Sequence, residues 1–489
     1  MKHESVEFPV GEIHRRILDI EEAHDIFEQK VGGLYFYERF RYSTHKKIYA
    51  KTGVSLKSYD PRKIGAKTST ETGTERLTEY ATAVYRALRS LGKKNPYLAG
   101  DPSYLIFGTS RKFKTPDGQW ADKVLDPIMD ELPASHLLLE RSDHDRPLQT
   151  DDVAYLDFPW YVGHIPGELG APHISLTGEE RRTIREFEQA IETEFDIQFD
   201  LLGRVKRHLA RRQVRLPLFR RLIRQTDPEL VIMRGAFGEM KSTFLEACHA
   251  NDVEVVDCQF RSLNKNEGHY HYPGDRRKRV KADYFLSWGE FWTDSIELPF
   301  DDDSVFSVGY PYIEDQYNQY NDESTDIDLL FVSSLSCGTD LSKFAVEFIE
   351  QVDEDLNVVY KLHPGEFDKW TEWYSWLTDV DITVIDDQSI SLYELFAKSR
   401  AQVGVTSTAL YEGMRFGLET YLVDGQPGLF EMKGLLDEDF ATLVDTPADL
   451  SERFDDSECY NPHEGFDIEK LFEPNPRANF KAVFEHELT

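Results

Sequence analysis

Hydrophobic positions recur along this chain at two different spacings. Near the start, Ile13, Ile17, Leu18, Ile20, Ala23, Ile26 and Phe27 repeat at helical intervals. Leu34–Tyr49 follows, dense in aromatic and basic residues. Glu75–Leu91 returns to an amphipathic helix, and the intervening Ser55–Thr74 is rich in Ser, Thr, Gly and Lys and reads as a loop or linker. Residues 1–96 are therefore expected to form a helical N-terminal region.

From about Tyr97 short apolar runs alternate with segments of helical period. The expected strands are Tyr104–Thr109, His136–Glu140, Val153–Asp157, Leu230–Gly235, Glu254–Gln259, Asp283–Glu290, Asp328–Ser334, Val358–Leu362, Ala401–Val405 and Thr420–Asp424. The expected helices include Lys123–Leu132, Thr177–Asp196, Lys241–Ala250 and Leu341–Val352. Parallel strands need a crossover between them, so this alternation predicts an α/β protein with parallel sheets. Glu314–Asp326 is polar, lacks apolar periodicity, and reads as an interdomain linker between a domain at 97–313 and another at 327–489. After Gly425 the chain reads as irregular and acidic, with Asn461–Thr489 packing back as one or two helices.

Two strand ends in the later domain carry distinctive chemistry. One is Lys361-x-His363-Pro364, a cation and an imidazole braced by proline. The other is Thr406-Ser407-Thr408, directly before a helix expected near Ala409. The first N–H groups of a helix lack partners, so Ser407 or Thr408 can cap it and an anion can share the rest. Gly404 would let the backbone approach a ligand, and Glu412, one turn in, would face it. Ser333 and Ser334 end the strand that opens this domain, near the expected cleft. The plainer reading of these features is an ordinary N-cap and a turn.

A further candidate is the loop Asn266-Glu267-Gly268-His269-Tyr270-His271-Tyr272-Pro273, which follows the strand ending at Gln259. Glu267 or His269 could take a proton from an acceptor hydroxyl. His269 and His271 could instead be metal ligands, but no third ligand is identifiable by spacing. A surface loop with packed tyrosines is the plainer alternative.

The order strand–Lys361-x-His363-Pro364, then strand–Gly404-x-Thr406-Ser407-Thr408–helix–Glu412, then a further strand resembles the nucleotide-binding half of GT-B glycosyltransferases. The likeness is to enzymes of capsule and surface-polysaccharide synthesis, bacterial sialyltransferases and glycerophosphotransferases. It implies two Rossmann-like domains facing a cleft. It also implies that His363, Pro364, Ser407 and Thr408, and more loosely Lys361, Thr406 and Glu412, hold the donor nucleotide and its phosphate. The earlier strand–helix–strand unit resembles the acceptor half of the same families, which typically carry Gln-His-Gly where this chain has Gln259-Phe260-Arg261. Val308-Gly309-Tyr310-Pro311 resembles the Gly-x-Pro segment that ends their first domain, and Glu267-Gly268 resembles an acidic motif in which an acid is the base.

Composition narrows the setting. The chain has 56 basic and 89 acidic side chains, a net charge of −33, yet 40% of its residues are hydrophobic. It is thus expected to fold, and its acidity fits a high-salt cytoplasm such as that of haloarchaea. The charge argues against a nucleic-acid partner. Basic clusters at Arg204–Arg224 and Arg276–Lys281 could steer an anion, touch an acidic membrane, or pair with acids of the same chain. Cys248, Cys258, Cys337 and Cys459 are scattered and suggest neither zinc nor disulfides. Met1–Pro9 lacks the pattern of a signal peptide, and no apolar run approaches the ~20 residues of a membrane span. Location in the cytoplasm, with peripheral contact to the inner face of the membrane as an extension, is the expectation. The aromatic Leu34–Tyr49 could lie on anionic lipid or pack on the body.

The functional expectation is glycosyl transfer from a nucleotide-sugar donor to a surface glycan, glycoprotein glycan or lipid-linked acceptor, without a cofactor or metal. A glycerophosphotransferase, a sugar-nucleotide epimerase, a non-catalytic scaffold of glycan assembly and a peripheral membrane adaptor are the alternatives.

Overall fold

The structure is a computed structural model that describes residues 9–52, 73–109, 112–115, 117–141, 147–148, 150–163, 167, 169–266, 268–352, 356–426, 428–456 and 467–488. The N-terminal region supplies helices α1 (Pro9–Ala23), α2 (Arg41–Lys51) and α3 (Gly73–Gly92). Most of the expected Ser55–Thr74 loop, and Cys459, lie outside the described residues. Leu34–Tyr49 is not one helix. A short hairpin, Lys30–Val31 with Leu34–Tyr35, and a turn at Tyr37–Arg39 precede α2. Phe36, Tyr37 and Phe40 are buried in a core that also takes Ile17, Ile184 and Phe187. The aromatic face therefore packs on the body of the protein, because burial against other apolar side chains satisfies it.

The first sheet contains β1 (Tyr104–Phe107), β2 (His136–Glu140), β3 (Val153–Tyr155), β4 (Leu230–Arg234), β5 (Glu254–Cys258), β6 (Tyr284–Ser287) and β7 (Val305–Ser307). Their spatial order is β7-β6-β5-β4-β1-β2-β3, and every pairing is parallel. The second sheet contains β8 (Ile327–Val332), β9 (Val358–Lys361), β10 (Thr383–Ile385), β11 (Ser399–Gly404), β12 (Glu419–Val423) and β13 (Thr442–Val444), in the order β10-β9-β8-β11-β12-β13. Both follow the doubly wound order in which the chain starts centrally, moves to one edge, and returns to build the other. The protein is thus an α/β chain of two Rossmann-like domains.

Helices cover the sheets where local signals start them. Thr177 and Glu180 form a reciprocal capping box that opens α4 (Gly178–Phe195). Asp200 caps α5 (Leu201–Thr226), which runs through Pro217. Next come α6 (Glu239–His249), α7 (Pro311–Tyr320) and α8 (Gly338–Gln351). Helix α7 occupies much of the segment expected to be a linker. Pro311 at its first turn supplies a preset φ, and Ile313 is buried. The stretch after Gly425 is likewise more ordered than expected. It holds a turn at Leu429–Met432, strand β13 and a helix at Pro447–Asp456.

The basic segment in α5 is largely wired internally. Arg207 bonds Asp200 at 3.0 Å, and Arg212 Nε donates to Glu246 at 2.8 Å. Arg204 and Arg211 face Glu239 at 3.9 and 3.8 Å. In the second cluster Arg276 binds Glu21 at 2.8 Å, and Lys278 is buried with its ammonium on the Ala236 carbonyl.

The domains share one continuous apolar core. Trp292 packs at a tilt against Tyr411 with ring centres 4.7 Å apart, and Lys123 donates to the Tyr393 hydroxyl at 2.6 Å. Residues 467–488 return to the first sheet, as the tail pattern predicts. There Leu471 accepts the Trp292 indole N–H at 2.8 Å and Phe484 meets Tyr104. No described helix is long and apolar enough to cross a membrane.

Candidate functional site

In a doubly wound sheet the crevice opens where the winding reverses, beyond the carboxyl ends of the strands. In the second domain that point lies between β8 and β11. The registers Val332↔Lys361 and Phe331↔Val403 align β8, β9 and β11. Ser333, His363 and Thr406 therefore emerge along one edge.

Their side chains have defined partners. Ser333 is buried, its N–H on the Lys361 carbonyl at 3.0 Å. Ser334 Oγ lies 3.2 Å from Ser336 Oγ and 3.0 Å from Cys337 Sγ. The Lys361 ammonium donates to the Asp387 carbonyl, and burial lowers its pKa against the pull of Asp387 and Asp386. His363 is half-buried and Pro364 is exposed. The Gly365 N–H donates to His363 Nδ1 at 3.0 Å, and Glu366 accepts the His363 backbone N–H at 2.8 Å. Burial also lowers the His363 pKa, with Glu366 opposing. With Nδ1 acting as acceptor, the neutral ring carries its proton on Nε2 and presents a donor.

Ser407 caps the next helix, its Oγ accepting the Ala409 N–H at 3.1 Å. That helix, α9 (Thr408–Met414), has seven residues and opens on Thr408. Thr406 is buried and donates to Glu431 Oε2 at 3.2 Å. Glu412 is buried and turned to the domain seam, where it accepts the Tyr393 hydroxyl at 2.7 Å and lies 3.9 Å from Lys123 Nζ. At Gly404 a Cβ would sit 2.9 Å from Leu410, so this glycine serves packing within the domain.

The opposite wall follows β5. Gln259 braces the turn by donating to the Arg261 carbonyl at 3.0 Å and accepting the Trp288 N–H at 2.8 Å. Arg261 Nη2 reaches to 3.9 Å from Glu431 Oε2. His269 is 1% exposed and packs among Tyr42, Phe237 and Tyr270, with ring centres 4.7–5.0 Å away. His271 is buried against the N-terminal region. Its Nδ1 accepts the Glu297 N–H at 3.1 Å, and burial, helped by Arg41, pushes its pKa down to about 4. Glu267 lies outside the described residues. Among the described residues no three His, Cys, Asp or Glu side chains are grouped to hold a metal.

The two walls meet at Glu431, which touches both Thr406 and Arg261. They border a small pocket of about 60 Å3, partly open to solvent. Tyr42, His45 and Lys46 from α2 line it together with Arg261, His269 and Glu431. Apart from His269 and Arg261, none of these carried a sequence signal for the cleft. Glu431 sits in a turn after an irregular stretch, and α2 belongs to a region that reads as an extension. In the first sheet the corresponding reversal point, between β1 and β4, is filled. There Arg234 donates to the Thr109 hydroxyl at 2.6 Å and pairs with Asp122 at 3.0 Å.

The arrangement defines a GT-B architecture: two Rossmann-like domains with a cleft between their carboxyl strand edges. No family model matches the chain, and no curated protein matches it. Among solved structures the chain is similar to the UDP-GlcNAc 2-epimerase of Methanocaldococcus jannaschii, at 12% identity over 79% of this chain and 99% of that one, with a TM-score of 0.46. It is also similar to the wall teichoic acid polymerase TagF, at 8% identity over 84% and 98%, with a TM-score of 0.38. A third similar structure is MurG of Acinetobacter baumannii, at 12% identity over 56% and 78%, with a TM-score of 0.38. These likenesses concern the fold and nothing finer.

Proposed function

We propose that this chain is a glycosyltransferase that moves a sugar from a nucleotide-activated donor to a surface glycan, glycoprotein glycan or lipid-linked acceptor. The observation that carries the reading is the contact of Glu431 with both Thr406 and Arg261, which joins the polar edge of the second domain to the loop after β5. The donor nucleotide and phosphates would lie along Ser333, Ser334, Lys361, His363, Pro364, Thr406, Ser407 and Thr408. In the reaction the acceptor oxygen bonds to the anomeric carbon while the bond from that carbon to the phosphate oxygen breaks. The nucleotide leaves with the electron pair, and a base takes the acceptor proton. Glu267 or His269 is the proposed base. The His363 Nε2–H donor would stabilise charge growing on the leaving phosphate, which needs donors set in advance.

Thermal-shift measurements with nucleotides and nucleotide sugars in molar KCl test the reading. A donor that binds only the folded protein raises its melting point. One nucleotide class should do so, and His363→Ala should remove the effect. Mass analysis of a candidate acceptor then separates transfer, which adds a group, from epimerisation, which does not. A well-folded sample that responds to no nucleotide would overturn the proposal in favour of a scaffold role.

A further inference from the structure

Among the described residues, the large apolar side chains that stay exposed are Val84, Tyr85, Leu88, Leu98 and Leu169. Three of them stand on α3 and invert the usual arrangement of a surface helix, which turns its apolar stripe inward. In α3 the small Ala87 and Ser90 face inward, at 4% and 0% exposure, while Tyr85 and Leu88 are 64% and 62% exposed. Val84 and Tyr85 lie one turn before Leu88, so the three share one outward face.

The other two lie against α5, and so does a set of cations. Leu98 ends the turn Pro96–Leu98, which packs on α5: the Tyr97 hydroxyl donates to the Leu218 carbonyl at 3.4 Å, and the Arg221 guanidinium lies 5.7 Å from the Tyr97 ring centre. Leu169 precedes Gly170, where a Cβ would meet Ala210 of α5 at 3.5 Å. The short helix Asp157–Val162 joins α3 to α5, since Arg86 donates to the Tyr161 hydroxyl at 3.1 Å and Arg215 to the Trp160 carbonyl at 2.9 Å. Beyond Pro217, α5 leaves Arg220, Arg221 and Arg224 exposed. None of these three forms an ion pair among the described residues, unlike Arg204, Arg207 and Arg212 earlier in the same helix. Lys93 and Lys94 are exposed just past the end of α3.

The charge of this face is opposite to that of the chain. The net charge is −33, yet α5 contains no acid, and residues 84–100 carry Arg86, Arg89, Lys93 and Lys94 with no acid among them. Acids reach the face at Asp151 and Asp152, which line a recess with Leu98, and at Asp227, which caps α5. We propose that this face of the first domain is a peripheral docking surface for an anionic phospholipid bilayer. The apolar tips enter the boundary between headgroups and acyl chains, and the cations stay with the phosphates. A second copy of the chain would need an apolar patch with charge depleted at its centre, whereas here cations stand among the apolar residues. The surface is separate from Leu34–Tyr49, whose aromatic side chains pack in the core. Docking here is independent of nucleotide binding in the second domain.

Vesicle flotation of the full chain, in the lowest KCl at which it stays folded, tests this surface. Vesicles of equal parts phosphatidylglycerol and phosphatidylcholine should bind the protein, and phosphatidylcholine alone should bind it about tenfold less or weaker. Tyr85→Ser with Leu88→Ser removes apolar tips, and Arg220→Gln with Arg221→Gln and Arg224→Gln removes cations. Each set should weaken binding to the mixed vesicles about tenfold or more. All five side chains are exposed, so the melting temperature of both variants should stay near that of the wild type. Raising KCl to about 1 M should erase most of the preference for anionic vesicles. No binding to either vesicle, equal binding to both, or unchanged binding in either variant would overturn the proposal. A dimer that Leu88→Ser disperses, without vesicle binding, would overturn it in favour of a second copy. Melting shifts caused by nucleotides should be the same in wild type and variants, so failure of membrane docking and failure of the transferase reading are told apart.

Discussion

Glu21 of α1 and Arg41 of α2 form a completely buried ion pair, with Nε–Oε1 at 2.8 Å and Nη2–Oε2 at 3.2 Å. The same carboxylate accepts from Tyr37 at 2.9 Å and from Arg276 at 2.8 Å. This hub ties the N-terminal helices to the loop that carries His269 and His271. Removing one partner of such a pair strands the other charge, which costs about 3–5 kcal/mol. Glu21→Ala is therefore expected to lose that much stability in urea unfolding. An unchanged midpoint would show that solvent reaches the hub.

The histidines around this hub make stability pH-dependent. Burial, His45 and Arg41 lower the His14 pKa, and burial and Arg41 hold His271 near 4. Burial also lowers His45, against its hydrogen bond to Glu21. A group with a depressed folded pKa contributes stability above its unfolded pKa and loses it as pH falls. The melting temperature should thus decline from about pH 6.5 downward, the unfolded range of histidine. Glu21 adds a second decline below the ordinary glutamate range. A flat profile between neutral pH and that range would contradict the neutral histidine cluster.

Gly268 has a specific steric reason to be glycine. A Cβ there would stand 2.6 Å from His45 Cγ. Gly268→Ala should cost about 1–3 kcal/mol by overpacking. His45→Ala in the same chain should recover part of that loss, measured as a double-mutant cycle.

Trp292 joins the two domains and the returning tail. It is fully buried, packs against the Tyr411 ring, and donates its indole N–H to the Leu471 carbonyl. Trp292→Ala should destabilise by about 3–5 kcal/mol. Limited proteolysis should then cut the 467–488 tail faster than in the wild type.

The charge of −33 predicts that salt stabilises the chain. Raising KCl to about 1 M shortens the screening length to roughly 3 Å and relieves repulsion among surface carboxylates. The melting temperature should rise with KCl well beyond what the same salt does for a near-neutral protein of similar size. A decrease would mean that internal pairs such as Arg212–Glu246 outweigh that repulsion.

Much of the architecture was legible in the chain. Strands such as Val231–Met233 and Leu329–Val332 read as continuous apolar runs because helices cover both faces of a parallel sheet. The helix expected at Thr177–Asp196 forms, and the structure shows it opening on a capping box at Thr177. Other elements were not legible for equally physical reasons. The polar surface of α7 hides its helical period, since only Pro311 and Ile313 are buried. The hairpin before α2 is held by contacts to helices far along the chain, which local propensity does not encode.

The candidate site divides the same way. The sequence by itself determined which strand ends carry Ser333, His363 and Thr406, because the alternation of strand and helix sends parallel strands to a common edge. It also determined that Ser407 or Thr408 caps a helix, and the structure gives that cap to Ser407, a contact made within two residues. Only the tertiary structure decided that Glu412 turns to the domain seam and that Glu431 bridges Thr406 and Arg261. It alone brought Tyr42, His45 and Lys46 to the cleft. Those outcomes depend on the packing of α2 around Glu21 and on the docking of one domain against the other. Both are set by long-range burial of charge and apolar surface, which leaves no local periodicity to read.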